Sequence, residues 1–187
     1  MQSAPIPPNE SQRLAALASY QLLDTLPEEV YDDITKIASE LCGTPIAMLS
    51  LIDKDRHWAK SRQGVEITEF SRDLSFCAHA IINPDTPMVV EDLRYDERFH
   101  DHPFVTGTSN ILFYAGVPVV DTDGFALGTI CVLDHRPRAL PEEKLAALKA
   151  LAKLVQAHLS LRKVTLELTQ TKADLDQARN ALAQIKL

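Results

Sequence analysis

Cysteine is scarce in this chain: Cys42, Cys77 and Cys131 are the whole complement. An odd number without C-x-x-C spacing fits neither a disulfide framework nor a zinc ribbon, so the three are expected to be buried thiols. Basic charge is also in deficit. With 19 Lys and Arg against 26 Asp and Glu, the net charge is −7 and the basic residues are dispersed, which argues against nucleic acid as a partner. No apolar run reaches the roughly 18 to 20 residues a membrane-spanning helix needs. Met1 to Pro8 lack the charged and apolar segments of a secretion signal, so the cytoplasm is the expected compartment, with no membrane partner.

What is present is globular. Apolar residues make up 45% and charged residues 24% of 187, enough for one domain with a core plus an appendage. After an extended leader (1–8), two helices are expected before any strand. The first is capped at Asn9 or Ser11, carries Leu14, Leu17, Tyr20 and Leu22 at helical spacing, and ends at Pro27. The second begins near Glu28, turns Val30, Ile34, Ile37, Ala38 and Leu41 to one face, and stops at Gly43 and Pro45.

Ile46 to Asp53 is a short, almost continuously apolar run of the kind found in central strands, and it forms a plausible hairpin with His57 to Val65. Ser75 to Ile82 reads as a short helix capped by Asp73 or Ser75, and Met88 to Glu91 as a brief strand. The polar stretch Leu93 to Asn110 is long enough for a functional loop. Leu112 to Asp121 and Ala126 to Asp134 form a second hairpin, with Asp123-Gly124 supplying the positive φ its turn needs. Gly116 and Gly128 inside those strands call for a close backbone approach or a bulge.

The last helix starts at Pro141 and meets no breaker. Leu154, Leu161, Leu168, Leu175 and Leu182 repeat every seven residues, with Ala157, Val164, Thr171, Ala178 and Ile185 three places after each. An uncovered stripe of this kind is expected to pair two copies. In a parallel, in-register pair Glu167 faces Lys172 and Asp174 faces Arg179 of the other copy, both opposite in sign. Thr171 and the alanines make a weak core, suiting a transmitter more than a rigid rod. The seam is therefore Leu154, Leu161, Val164, Leu168, Thr171, Leu175, Ala178, Leu182 and Ile185. Ending at Leu187 in mid-heptad, the sequence reads as cut from a longer chain or as unusually short for its class.

NESQR (9–13), LLDTLP (22–27), PIAMLSLID (45–53), SFCAHA (75–80), FYAGVP (113–118), Asp123-Gly124 and GTICVLD (128–134) together resemble the GAF domain family, especially its bacterial signalling subgroup found ahead of sensor histidine kinases and diguanylate cyclases. The resemblance implies an α/β (α+β) fold with a central antiparallel sheet and helices on both faces. The domain would span 9–140, the last helix packing on it to about 160 before becoming a parallel coiled coil within 141–187. It also implies a ligand pocket between the sheet and the short helices, lined by Trp58, Phe76, Cys77, His79, Phe99, Phe113 and Tyr114.

Sharper chemistry at these residues finds little support. Bilin-binding relatives place His directly after the attachment cysteine, whereas Ala78 intervenes here, so a bilin is disfavoured, as is haem on His79, and the cofactor is left unnamed. His100 and His102 have no third ligand at metal spacing, and no metal site is assigned. The charges from Asp92 to Asp101 read as salt links rather than an anion clamp. The resulting expectation is a non-enzymatic sensory module that binds an unidentified small molecule and passes a conformational bias through a homodimeric helix to an output domain, a kinase or cyclase of two-component or cyclic di-GMP signalling. The alternatives are a docking module with a vestigial pocket and, less favoured because the positions of Cys42, Cys77 and Cys131 do not match that enzyme's clustered cysteines, a methionine sulfoxide reductase-type thiol enzyme.

Overall fold

The computed structural model describes residues 1–185, excluding the side chain of Ile185. Two helices, α1 (Glu10–Ser19) and α2 (Glu29–Cys42), precede the sheet. The spacing that extended α1 to Leu22 outlasts the helix, because Tyr20 and Leu22 stay buried after it ends at Ser19. α2 is rotated from its expected phase. Tyr31, Ile34, Thr35, Ala38 and Cys42 face inward, whereas Ile37 and Leu41 are exposed. Thr35 is drawn inside by a 2.7 Å hydrogen bond to Ser61 Oγ, so a polar residue holds a position that hydrophobicity alone assigns to its neighbours.

The sheet contains β1 (Ile46–Ile52), β2 (Arg56–Gln63), β3 (Glu69–Ser71), β4 (Met88–Val90), β5 (Phe113–Val120) and β6 (Ala126–Asp134), in the order β3-β2-β1-β6-β5-β4 with every neighbour antiparallel. β1 and β2 form the first expected hairpin, β5 and β6 the second. Between β3 and β5 lie two short helices, α3 (Phe76–Ala80) and α4 (Pro103–Thr106), and a 3-10 turn precedes α3 at Arg72–Leu74. β3 and α4 had no counterpart in the sequence reading, being too short to carry a hydrophobic period.

Both faces of the central strands are buried, so residue parity decides which core each side chain joins. Ala47, Leu49, Leu51, Phe113, Ala115 and Val117 pack toward α1, α2 and the final helix α5 (Glu142–Ile185). Ile46, Met48, Ile52, Tyr114, Cys131 and Leu133 pack toward α3 and α4. At about 25 cal/mol per Å² of apolar surface, each fully buried Leu or Phe contributes roughly 1.5 to 3 kcal/mol.

α1 is tied by charge to the 3-10 turn that precedes α3. Buried Arg13 donates to Glu10 through Nε (2.7 Å) and Nη2 (2.8 Å), and Arg72 pairs with the same carboxylate. Burial works against the charged form of Glu10, but the two guanidinium groups outweigh it and hold the pKa at about 2.

α5 changes character along its length. Leu148, Leu151, Ala152, Val155 and Leu159 are buried on the sheet. Arg162 then donates to the carbonyls of Tyr20 and Gln21, each at 2.8 Å, and pairs with Glu28. From 167 to 184 every side chain is exposed. At about 1.5 Å per residue this segment projects well beyond the sheet.

Candidate functional site

Between the sheet and α3, α4 and the 64–67 loop lies a cavity of about 310 Å³. That is room for roughly ten waters, at the lower end of small-molecule pockets. Its wall is mostly apolar, with Ile46, Met48, Ile111 and Leu133 from the sheet side and Phe70, Phe76 and Phe104 around them. His57, Cys77, Cys131, Tyr114 and Glu66 supply most of the polar groups.

Local sequence explains the placement. Ser75 caps α3, its hydroxyl oxygen accepting the Ala78 N–H at 3.1 Å, and the single turn that follows turns Phe76 and Cys77 to the cavity. His57 sits on β2 with the parity of Ala59 and stacks on Phe70 with ring centroids 4.2 Å apart. Its Nδ1 shares a 2.8 Å hydrogen bond with Ser75 Oγ. β6 brings Cys131 opposite both Met48 of β1 and Gly116 of β5.

The two glycines flagged in the strands have different reasons. A Cβ at Gly128 would lie 1.8 Å from the Ser50 carbonyl oxygen, a close backbone approach, whereas one at Gly116 would strike the phenol of Tyr114 at 2.1 Å. Gly116 therefore leaves room for the Tyr114 side chain to lie along the cavity face.

Cys77 Sγ and Cys131 Sγ are 3.7 Å apart, and the Tyr114 hydroxyl donates to Cys77 Sγ at 3.4 Å. Burial opposes ionisation of Cys77, but its contact with Cys131 and the adjacent His57 outweigh it and hold the thiol well below its ordinary value. Cys131 is pushed well above by that same contact and by burial, and Tyr114 is pushed up by burial and by the charge on Cys77. Cys77 is thus the acidic member of the pair. Cys42 lies apart in the helix-side core.

Of the seven residues expected to line the pocket, Phe76, Cys77 and Tyr114 do so. Trp58 and Phe113 do not: each neighbours a cavity-facing strand residue, His57 or Tyr114, and parity turns it into the helix-side core. His79 and Phe99 form a row behind Phe76, with Phe99 edge-on to Phe76 at 5.0 Å and His79 bonded to the Gln2 carbonyl at 3.1 Å. Sequence reasoning missed His57, Cys131, Met48, Ile111 and Phe104. Strand parity carried through the first hairpin could have found His57.

The loop histidines do not converge. His102 is buried and caps α4, its Nδ1 accepting the Phe104 N–H at 3.0 Å, while His100 is half-exposed beside Asp101. Among the described residues no group of three or more His, Cys, Asp or Glu is arranged to hold a metal. Arg94 and Arg98 each pair through Nε and Nη2 with the carboxylate two residues earlier, Asp92 and Asp96, as the salt-link reading expects. No helix among the described residues is long and apolar enough to cross a membrane.

In the expected seam, Leu154, Leu161, Val164, Leu168, Thr171, Leu175, Ala178 and Leu182 are all exposed. For Ile185, the last residue of the expected seam, only the helical backbone is described.

Comparison with known proteins fits this architecture. The sequence is 38% identical over 160 residues to a cyclic di-GMP phosphodiesterase of Pseudomonas aeruginosa, a match covering 85% of this chain and only 27% of that protein. The fold resembles a domain from a Sinorhizobium meliloti protein described as a two-component sensor histidine kinase (TM-score 0.57, 16% identity, 77% of this chain and 97% of that one). It also resembles the type II free methionine-R-sulfoxide reductase of Thermoplasma acidophilum (TM-score 0.58, 14% identity, 70% and 90%). At such identities these two structures speak to the fold alone. The family model of the GAF domain matches residues 26–159, and the chain belongs to the GAF domain family.

Proposed function

We propose that this chain is a regulatory GAF module that binds a small, largely apolar molecule and transmits a conformational bias through a parallel dimer of α5 to an output domain. The observation that carries this reading is a shared wall. β1, β5 and β6 hold the cavity on one face, and on the other their side chains pack in one core with Leu148, Leu151 and Val155 of α5. A ligand that moved these strands would therefore press on the root of the helix whose far half carries the exposed leucine stripe.

The phosphodiesterase in which the related segment occurs suggests that the output acts in cyclic di-GMP signalling, with catalysis residing outside this domain. Dimer contacts would come from the leucines, with Glu167–Lys172 and Asp174–Arg179 pairs setting parallel register at about 0.2 to 1 kcal/mol each.

Sedimentation equilibrium at micromolar concentration is expected to find a dimer, and a Leu168→Glu, Leu175→Glu variant a monomer with the same melting temperature. A monomeric unsubstituted chain would overturn the transmission route. Native mass spectrometry of gently purified protein is expected to find a retained small molecule, and repeated blanks would favour a docking module instead.

A further inference from the structure

We propose that Cys77 and Cys131 form a dithiol site, in which a small hydroperoxide of the hydrogen peroxide class oxidises the two thiols to an intramolecular disulfide. The proposal goes beyond ligand sensing and does not depend on α5 pairing, so a monomer in sedimentation would leave it standing.

Three observations converge on it. The first is proximity: the sulfurs are 3.7 Å apart, and a disulfide requires about 2.05 Å, so the remaining gap is under ~2 Å. Cys131 is fixed in the middle of the sheet, and Cys77 stands over it on a helix of a single turn. The second is access, because both cysteines line the cavity, which admits molecules of peroxide size.

The third is the polar surround of the thiols: His57 Nε2, Ser50 Oγ and Thr129 Oγ1 are buried, their residues 2%, 0% and 0% exposed, and have no hydrogen-bond partner other than the two thiols. Ser50 and Thr129 face each other across β1 and β6, and both neighbour Cys131. His57 and Thr129 neighbour Cys77. Three polar groups directed only at the two thiols leave hydrogen-bonding capacity that an oxygen-bearing reactant between them can use.

The chemistry balances. The Cys77 thiolate attacks one peroxide oxygen, the O–O bond breaks, and a sulfenic acid forms on Cys77 while hydroxide leaves. The proton that the Cys77 thiol gives up passes through the adjacent His57 imidazole to this hydroxide, making it water. The Cys131 thiol then attacks the Cys77 sulfur, the S–O bond breaks, the S–S bond forms and a second water leaves. Two electrons pass from the two thiols to the peroxide.

The test treats reduced full-length chain with stoichiometric hydrogen peroxide and reads the products by intact and peptide mass spectrometry. The expected result is a loss of about 2 Da, a linked peptide pair containing Cys77 and Cys131 that a reductant separates, and Cys42 left as free thiol. Cys131→Ser should stall at the sulfenic acid, trapped by dimedone on Cys77. His57→Gln should slow Cys77 oxidation about tenfold or more. Persistence of free thiol at both positions in the folded, unsubstituted chain, or oxidation of Cys42 ahead of Cys77, would overturn the proposal. Because the linked peptide is read in the unsubstituted chain, a variant that fails to fold does not weaken the test.

Discussion

The two faces of the central sheet are built from alternate residues of the same strands and have opposite characters. On the helix side, Tyr31, Leu49, Phe113 and Leu148 are fully buried with α1, α2 and α5 packed over them. On the other side the covering elements are a five-residue helix, a four-residue helix and loops, and a cavity of about 310 Å³ survives among aromatic rings and thiols. Long helices with continuous apolar stripes can fill a face completely. Short elements with few apolar anchors leave gaps, and apolar gaps that hold a few polar groups are where ligands and chemistry enter.

The largest expected effect on this contrast comes from the filled side. Phe113→Ala should cost about 3 to 5 kcal/mol in urea unfolding, because the helix layer cannot collapse into the hole. A loss below ~1 kcal/mol would mean that this face is as loosely packed as the other. Ala47→Leu, adding bulk on the same side, should cost about 1 to 3 kcal/mol through overpacking.

A smaller effect concerns the carboxylate that joins α1 to the turn before α3. Glu10 has a folded pKa of about 2 against an ordinary 4.5, so its contribution is complete above 4.5 and is lost as pH falls toward 2. Discounted for partial exposure, about 1 to 2 kcal/mol of stability should disappear over that window, and Glu10→Gln should flatten the acid limb of the stability profile. An unchanged acid limb in that variant would assign the loss to another carboxylate. The smallest effect is expected at the cavity. Val65→Phe adds volume where space exists and should change stability by less than about 1 kcal/mol while displacing any bound molecule. Destabilisation comparable to Ala47→Leu would show that the cavity side is as tightly packed as the helix side.

Much of the architecture was legible because it is periodic. The two hairpins are marked by short apolar runs between turn residues, the early helices by a repeat of about 3.6 and the last helix by one of seven, and all of these elements form, although α2 turns a different face inward. β3 and α4 escaped notice since three or four residues cannot establish a period. The site was legible only in part, for a related reason. Phe76, Cys77 and Tyr114 sit in recognisable motifs, but pairing Phe113 with Tyr114, and choosing Trp58 over His57, ignored the rule that adjacent strand residues face opposite ways.

Composition and periodicity alone determined that this chain forms one α/β domain with an uninterrupted apolar-striped helix, because burial and backbone geometry act locally and repeat. Only the tertiary structure decided that Cys77 and Cys131, 54 positions apart, meet at 3.7 Å beside His57. That meeting depends on the register of β1, β5 and β6 and on where α3 lands on them, relations between distant segments that no local pattern encodes.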